Sequence, residues 1–173
     1  MIELISNKDC ILRSLALVQM KINFPLHKLA QMLEKGTLQD LDISANNCVP
    51  LHFVPLLLAL AHNKTLHTLN LSQNQLLDKS DQTVRNARYF SADQFSTQSI
   101  NDRVLHLINQ ENLDHLKVDE MPLLVVESIG HVIRHNKNLQ SINLDSTGLS
   151  SFCLIGFVPA LRHAKSLICF HLA

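Results

Sequence analysis

Residues 37–76 read TLQDLDISANNCVPLHFVPLLLALAHNKTLHTLNLSQNQL, and this stretch decides the fold. It states the spacing L-x-x-L-x-L-x-x-N-x-L twice, with Cys accepted in place of the last Leu, and the second copy starts 28 residues after the first. The pattern falls at Leu38, Leu41, Ile43, Asn46 and Cys48, and again at Leu66, Leu69, Leu71, Asn74 and Leu76. A fixed interval of this size indicates a stack of similar structural units.

The spacing within each copy predicts a strand, a turn and a helix. Leu41 and Ile43 are two residues apart, so in a strand they point to one side while Asp42 points to the other. Asn46 follows at the turn, where its amide can bond backbone groups that no strand or helix pairs. An apolar stripe at helical spacing comes next, formed by Phe53, Leu56, Leu57 and Leu60. One such unit cannot bury its own apolar side, whereas a stack of units can.

The same pattern extends over the remaining chain. Strands are predicted near residues 16, 42, 70, 89, 117, 143 and 171, and further helices over about 25–36, 123–135 and 154–163. Three copies lack the turn Asn and carry Met20, Met121 or Thr147 instead. The pattern is weakest at about 77–100, where a shortened repeat without its helix and an irregular loop both fit. We therefore predict a single domain over 1–173 with an irregular repeat at 77–100.

These repeats resemble those of leucine-rich-repeat proteins of the ribonuclease-inhibitor type, in which a full helix lies on the outer side. The resemblance implies an α/β solenoid shaped as a horseshoe arc, with about seven parallel strands on the concave face and helices on the convex face. It also implies that the concave sheet grips another protein. The irregular repeats, which contain Asn, His and Lys, are similar as well to those of secreted effectors of intracellular bacterial pathogens.

Composition narrows the classes of function. The formal net charge is zero with His neutral, and Lys and Arg form no dense cluster, so neither nucleic acid nor a membrane surface is expected as the main partner. The longest apolar run, residues 54–61, is far shorter than the roughly 20 residues that cross a bilayer. The N-terminus carries Glu3, Lys8 and Asp9 where a secretory signal needs an apolar run. A soluble protein with reduced cysteines in the cytoplasm is the expectation, or in the host cytosol for a bacterial effector.

The candidate binding residues follow from the strand periodicity. The middle x of each L-x-L points away from the helices, and successive strands stack these positions about 4.8 Å apart into a column. The predicted central column reads Ala16, Asp42, Asn70, Tyr89, Lys117, Asn143 and His171. One flanking column reads Ser14, Asp40, Thr68, Ala87, His115, Ser141 and Cys169, and the other reads Val18, Ser44, Ser72, Ser91, Asp119, Asp145 and Ala173.

From these columns we predict a protein-binding site. Tyr89 is its prime candidate, because the chain has one Tyr and no Trp, and such aromatic residues anchor interfaces. The acidic members would attract a partner with a basic ridge, although the same charges could also serve only to keep the sheet solvated. The predicted site residues are Asp40, Asp42, Asn70, Tyr89, His115, Lys117, Asp119, Asn143, Asp145 and His171.

The residues point to no catalytic chemistry, and we predict a protein that is not an enzyme and holds no cofactor. Four isolated Gly residues form no phosphate-binding loop, and no C-x-x-C pair occurs. His131 and His135 have a spacing that can hold a metal, but neither a Glu between them nor a third ligand is placed by the sequence. We therefore predict no metal site and an exposed helix surface at this pair.

Two roles follow for a protein of this kind. The first is a binding module that recognises one protein through its concave sheet, and in its sharper form inhibits an enzyme by covering the active site. The second is a targeting or scaffolding arm of a larger effector or catalytic protein. The last predicted strand presents Leu167, Phe170 and Leu172 with nothing after them to cover it, so capping by a partner, a second copy of the chain or further residues is also expected.

Overall fold

The computed structural model describes residues 11–21, 26, 29–30, 33, 36–48, 50–76, 121–149 and 151–173. In this part of the chain the fold is α/β. The elements are β1 (Ser14–Ala16), β2 (Asp40–Asp42), α1 (Pro50–His62), β3 (Thr68–Asn70), α2 (Met121–His135), β4 (Ser141–Asn143), α3 (Ser151–His163) and β5 (Cys169–His171). The five strands form one parallel sheet in the order β1-β2-β3-β4-β5.

Every strand meets its neighbour in the same register. The middle residues of the strands stand side by side as Leu15, Leu41, Leu69, Ile142 and Phe170. Beyond each strand the ladder continues by one more bond, in which the next N–H donates to a carbonyl of the following strand. These bonds run from Leu17 to Asp42 (2.7 Å), Ile43 to Asn70 (3.0 Å), Leu71 to Asn143 (2.9 Å) and Leu144 to His171 (2.9 Å). The four junctions are therefore built alike.

One continuous core joins the inner face of the sheet to the helices. Leu41, Leu69 and Ile142 are fully buried there, together with the apolar stripes predicted for the helices. Phe53 from α1 and Phe157 from α3 are its largest members. Helix α2 packs between α1 and α3. Among the described residues no helix is both long enough and apolar enough to cross a bilayer.

The predicted order of seven strands is wrong between residues 70 and 143. Strand β3 pairs directly with β4, so Asn70 stands beside Asn143 with no strand between them. The predicted strands near 89 and 117 lie outside the described residues. Residues 77–120 intervene in sequence between two units that are neighbours in space.

The positions at which the helices begin show where residues 77–120 enter the repeat pattern. Helix α1 begins eight positions after β2 ends, and α3 begins eight positions after β4 ends. Helix α2 begins only at Met121, although β3 ends at Asn70. The additional residues therefore enter between the turn after β3 and the helix that completes that unit.

Strand β5 lies at an edge of the described sheet, where it pairs only with β4. Phe170 of this strand and the flanking Leu167 and Leu172 are half-buried. Phe170 packs edge-on against Phe157 with ring centroids 5.9 Å apart. The neighbouring Ile168 is 83% exposed. Capping of this strand by a partner or a second copy stays a prediction.

Candidate functional site: the open face of the sheet

The face of the sheet that the helices leave uncovered carries a shallow depression of about 480 Å³. It spans all five strands. Its lining consists of Ser14, Leu15, Ala16, Asp40, Leu41, Asp42, Thr68, Leu69, Asn70, Ser141, Asn143 and His171. Because alternate residues of a strand point to opposite faces, the outward side chains of these strands are the polar or small ones that the sequence pattern placed there.

Two hydrogen bonds fix the side chain of Asp42 on this surface. Its Oδ1 accepts a hydrogen bond from the Ser44 N–H (2.9 Å), and its Oδ2 accepts one from Asn70 Nδ2 (2.9 Å). Partial burial by itself would raise the pKa of Asp42, but the hydrogen bonds from Ser44 and Asn70 outweigh it and lower the pKa below its usual 3.8. The carboxylate is therefore charged and fixed in orientation at neutral pH.

The Asn residues of the central column repeat part of this arrangement. Asn70 Oδ1 accepts from the Ser72 N–H (3.1 Å), and Asn143 Oδ1 accepts from the Asp145 N–H (2.9 Å). At three successive strands the last side chain thus bonds the backbone two residues on, an Asx turn that ends the strand. The turn therefore fixes the orientation of these side chains.

The lining has an acidic side. Asp40 and Asp42 are two residues apart on β2, and the lining contributed by the described residues contains no Lys or Arg. His171 stands at the opposite end, on β5. The remaining polar groups are hydroxyls and amides, which can both donate and accept hydrogen bonds. Such a surface can bind a cationic side chain at β2 and polar groups along the rest of its length.

Five of the predicted site residues come together here. Asp40, Asp42, Asn70, Asn143 and His171 all line the depression. The others are placed elsewhere or not described. Asp145 lies in the turn after β4, where its Oδ1 is buried and accepts no hydrogen bond from the described residues. Tyr89, His115, Lys117 and Asp119 lie outside the described residues.

The flanking column on the far side of the central one differs from the prediction. Ser44 and Ser72 are each only 7% exposed, because the strands end at the central column and these residues already belong to the turns. The prediction of a third exposed column is therefore wrong at Ser44 and Ser72, whereas Val18 of the same column is 41% exposed.

Cys169 and His171 form a contact that the sequence pattern did not single out. They are two residues apart on β5, which places both side chains on the same face of the strand. Cys169 Sγ lies 2.9 Å from His171 Nε2. The period-2 spacing was the available signal for this pair.

A second cluster of titratable groups lies between α1 and α2. His131 stacks at 4.3 Å between ring centroids on His135 and at 6.4 Å, edge-on, on His62. His131 is only 1% exposed, so the prediction of an exposed helix surface is wrong for this residue, while His135 is exposed. Neither ring nitrogen of His131 has a hydrogen-bond partner among the described residues.

This environment disfavours the charged imidazolium. Burial, followed by the positive charges of His135, His62 and Arg134, lowers the pKa of His131 from 6.5 to about 4. His131 is therefore neutral at physiological pH. Within the described residues no three His, Cys, Asp or Glu side chains are placed to hold a metal ion.

No protein-family model matches the chain. The curated proteins likewise contain no match to it.

Proposed function

We propose that this chain is a leucine-rich-repeat solenoid that binds another protein through the open, concave face of its parallel sheet, without catalysing a reaction. The observation that carries the proposal is that five of the predicted binding residues line one depression of this face. The equal register at all four strand junctions supports the solenoid architecture, since each unit contacts its neighbours in the same way.

The chemistry of the depression favours a partner with a basic protrusion. Asp42 stays ionised because Ser44 and Asn70 hold it, and Asp40 adds a second carboxylate beside it. Among the described residues that line the depression there is no Lys or Arg to neutralise them. A Lys or Arg side chain would gain orientation and association rate from this pair, and an Arg could bond a carboxylate with two parallel N–H groups.

Two finer roles fit the same surface. In the inhibitor role, the bound protein is an enzyme whose active site faces the sheet, and its activity falls as complex forms. In the targeting or scaffolding role, the domain anchors a larger effector or catalytic protein to the partner, and the partner's activity is unchanged. Activity assays of the captured partner, with and without the domain, separate the two.

The test compares two substitutions that each add one positive charge. Thr68→Lys places a cation on β3, in the lining of the depression, and His163→Lys places one on the exposed end of α3. Proteins captured from a cell extract by the immobilised wild-type chain are identified by mass spectrometry and titrated against each variant by calorimetry. We expect Thr68→Lys to weaken binding at least about tenfold, because it opposes the basic protrusion, and His163→Lys to leave the affinity unchanged.

The salt dependence provides an independent reading. Affinity should fall as ionic strength rises, because the pairing of Asp40 and Asp42 with a cation is partly screened. Full affinity of the Thr68→Lys variant, or equal losses in both variants, would contradict the proposal that the partner docks on this face.

A further inference from the structure

The thiol of Cys169 differs from the other described cysteines in its surroundings. Cys48 and Cys153 are buried in the core, at 2% and 0% exposure. Cys169 is half-buried on the open face of the sheet, and its Sγ lies 2.9 Å from Nε2 of the exposed His171. A thiol next to an imidazole can pass its proton to the ring, and the thiolate is the form that reacts.

The position of the pair gives a small molecule access to it. His171 lines the 480 Å³ depression at its β5 end. Cys169 stands in register with Ser141 and His171 with Asn143, and both of these β4 residues also line the depression. A polar molecule at this end of the depression would contact His171, whose Nε2 bonds the sulfur of Cys169, and the hydroxyl and amide groups of β4 could bond it.

We propose that Cys169, with His171 as its base, is a modification site that takes up low-molecular-weight disulfides of the glutathione type as a mixed disulfide. Cys169 Sγ transfers its proton to His171 Nε2, and the thiolate attacks one sulfur of the disulfide. A new S–S bond forms to Cys169 as the bond between the two reagent sulfurs breaks. The leaving thiolate takes the proton from the imidazolium and departs as a thiol.

The reaction stops at the mixed disulfide in the described part of the chain. Cys48 and Cys153 belong to the core, whereas Cys169 faces outward, so neither buried thiol can reach the adduct to displace it. The modification does not depend on protein docking, and its test needs no partner.

The experiment measures the rate at which an aromatic disulfide, 5,5′-dithiobis(2-nitrobenzoate), labels the full chain. Peptide mass spectrometry quantifies the adduct on Cys169, and the released coloured thiolate follows the reaction in time. The variants are Cys169→Ser, His171→Gln and, as a matched control, His163→Gln, which removes an exposed imidazole from the end of α3. Far-UV circular dichroism confirms that each variant is folded.

At about pH 6.5, where an isolated thiol is mostly protonated, we expect labelling of Cys169 to be about tenfold slower in His171→Gln than in the wild type. At about pH 9.5 the two rates should converge, since any accessible thiol is then ionised. His163→Gln should match the wild type at both pH values. Cys169→Ser should lose the amount of released thiolate that the Cys169 adduct accounts for in the wild type.

Three results would overturn the proposal. One is equal labelling of the wild type and His171→Gln at the lower pH. Another is the same ratio between them at both pH values, which would indicate a change of access and not of proton transfer. The third is a wild-type protein in which peptide mass spectrometry finds no adduct on Cys169.

Discussion

The turns after β2 and β3 differ from the turn after β4 in how they join neighbouring units. Asn74 donates from Nδ2 to the carbonyls of Leu71 (2.9 Å) and Ser72 (3.4 Å) in its own turn, and to Ile43 (2.9 Å) in the unit before. Its Oδ1 accepts from the N–H of Asn46 (3.0 Å) and Cys48 (3.3 Å). One buried amide thus satisfies five backbone groups and ties two units together.

Thr147 occupies the same place after β4 and bonds less. Its Oγ1 donates to the Leu144 carbonyl (2.6 Å) within its own turn. The bond to the preceding unit is made by the backbone, where the Leu76 N–H donates to the Thr147 carbonyl (3.0 Å). An Asn at this position therefore both shapes a turn and couples units, whereas Thr shapes the turn and leaves the coupling to the main chain.

The residues that follow the helices also differ in whether they bond the preceding unit. Asn136, just after α2, accepts from the N–H of Asn138 (2.8 Å) and Leu139 (2.7 Å), and donates to Leu60 (2.5 Å) and Asn63 (3.3 Å) of the unit before. Ala164 replaces it after α3. The unit of β3 and α2 therefore has a buried amide both at its turn, Asn74, and after its helix, Asn136. The unit of β4 and α3 has Thr147 and Ala164 at these two places.

Breaking the Asn74 bonds should produce the largest effect. Asn74→Ala leaves buried carbonyls and N–H groups without partners, so we expect a loss of about 3 kcal/mol in the free energy of unfolding. Thr147→Val removes one hydroxyl bond at similar shape and should cost about 1 kcal/mol. Urea unfolding followed by circular dichroism measures both, with Gln75→Ala as an exposed control. Equal losses at positions 74 and 147 would remove the distinction between the two turns.

Acid should lower the free energy of unfolding through the buried imidazole of His131 on α2. The pKa of His131 is about 4 in the folded protein and about 6.5 in the unfolded chain, so the unfolded chain binds more protons between these values. The free energy of unfolding therefore falls as the pH drops from 6.5, by up to about 3 kcal/mol near pH 4. The lowered pKa of His135 acts in the same direction.

Unfolding curves at a series of pH values test this. His131→Leu should flatten the dependence between pH 6.5 and 4, and His163→Gln, at the exposed end of α3, should retain it. Asp42 does not interfere, because its pKa lies below 3.8 and its contribution is lost only at lower pH. An unchanged slope in His131→Leu would show that burial of this imidazole does not couple protonation to folding.

The sequence predicted the units well because each is specified locally. The alternation of Leu41 with Asp42, and of Leu69 with Asn70, fixes which side of the strand faces the core, and all five observed strands lie at predicted registers. The Asn at the turn and the apolar stripe of α1 are likewise specified by residues that are close together in the sequence. The central-column residues of these five strands consequently meet in one depression, although no long-range information was used.

The order of units could not be predicted in the same way. The sequence pattern predicted two strands within residues 77–120, but periodicity says which face of a segment is apolar and not which segment it pairs with. His131 was misplaced for a related reason. Helix α2 packs between two helices, so its buried arc is wider than the apolar stripe of Val126, Ile129 and Ile133 that marked it.

The smallest effect expected is a gain in the free energy of unfolding, obtained by placing an amide after α3, where the chain has Ala164. Ala164→Asn would place Oδ1 near the N–H groups of Ser166 and Leu167, as Asn136 does for Asn138 and Leu139, and would let Nδ2 reach back toward the carbonyl at the end of α2. Ser166 Oγ already donates to the Asn136 carbonyl (3.2 Å), which limits the improvement to about 0.5 to 1 kcal/mol. The gain should appear as slower hydrogen exchange at the β5 amides with little change in β2. An unchanged exchange rate in β5, or an equal change in β5 and β2, would mean that an amide after α3 does not stabilise the strand that follows it.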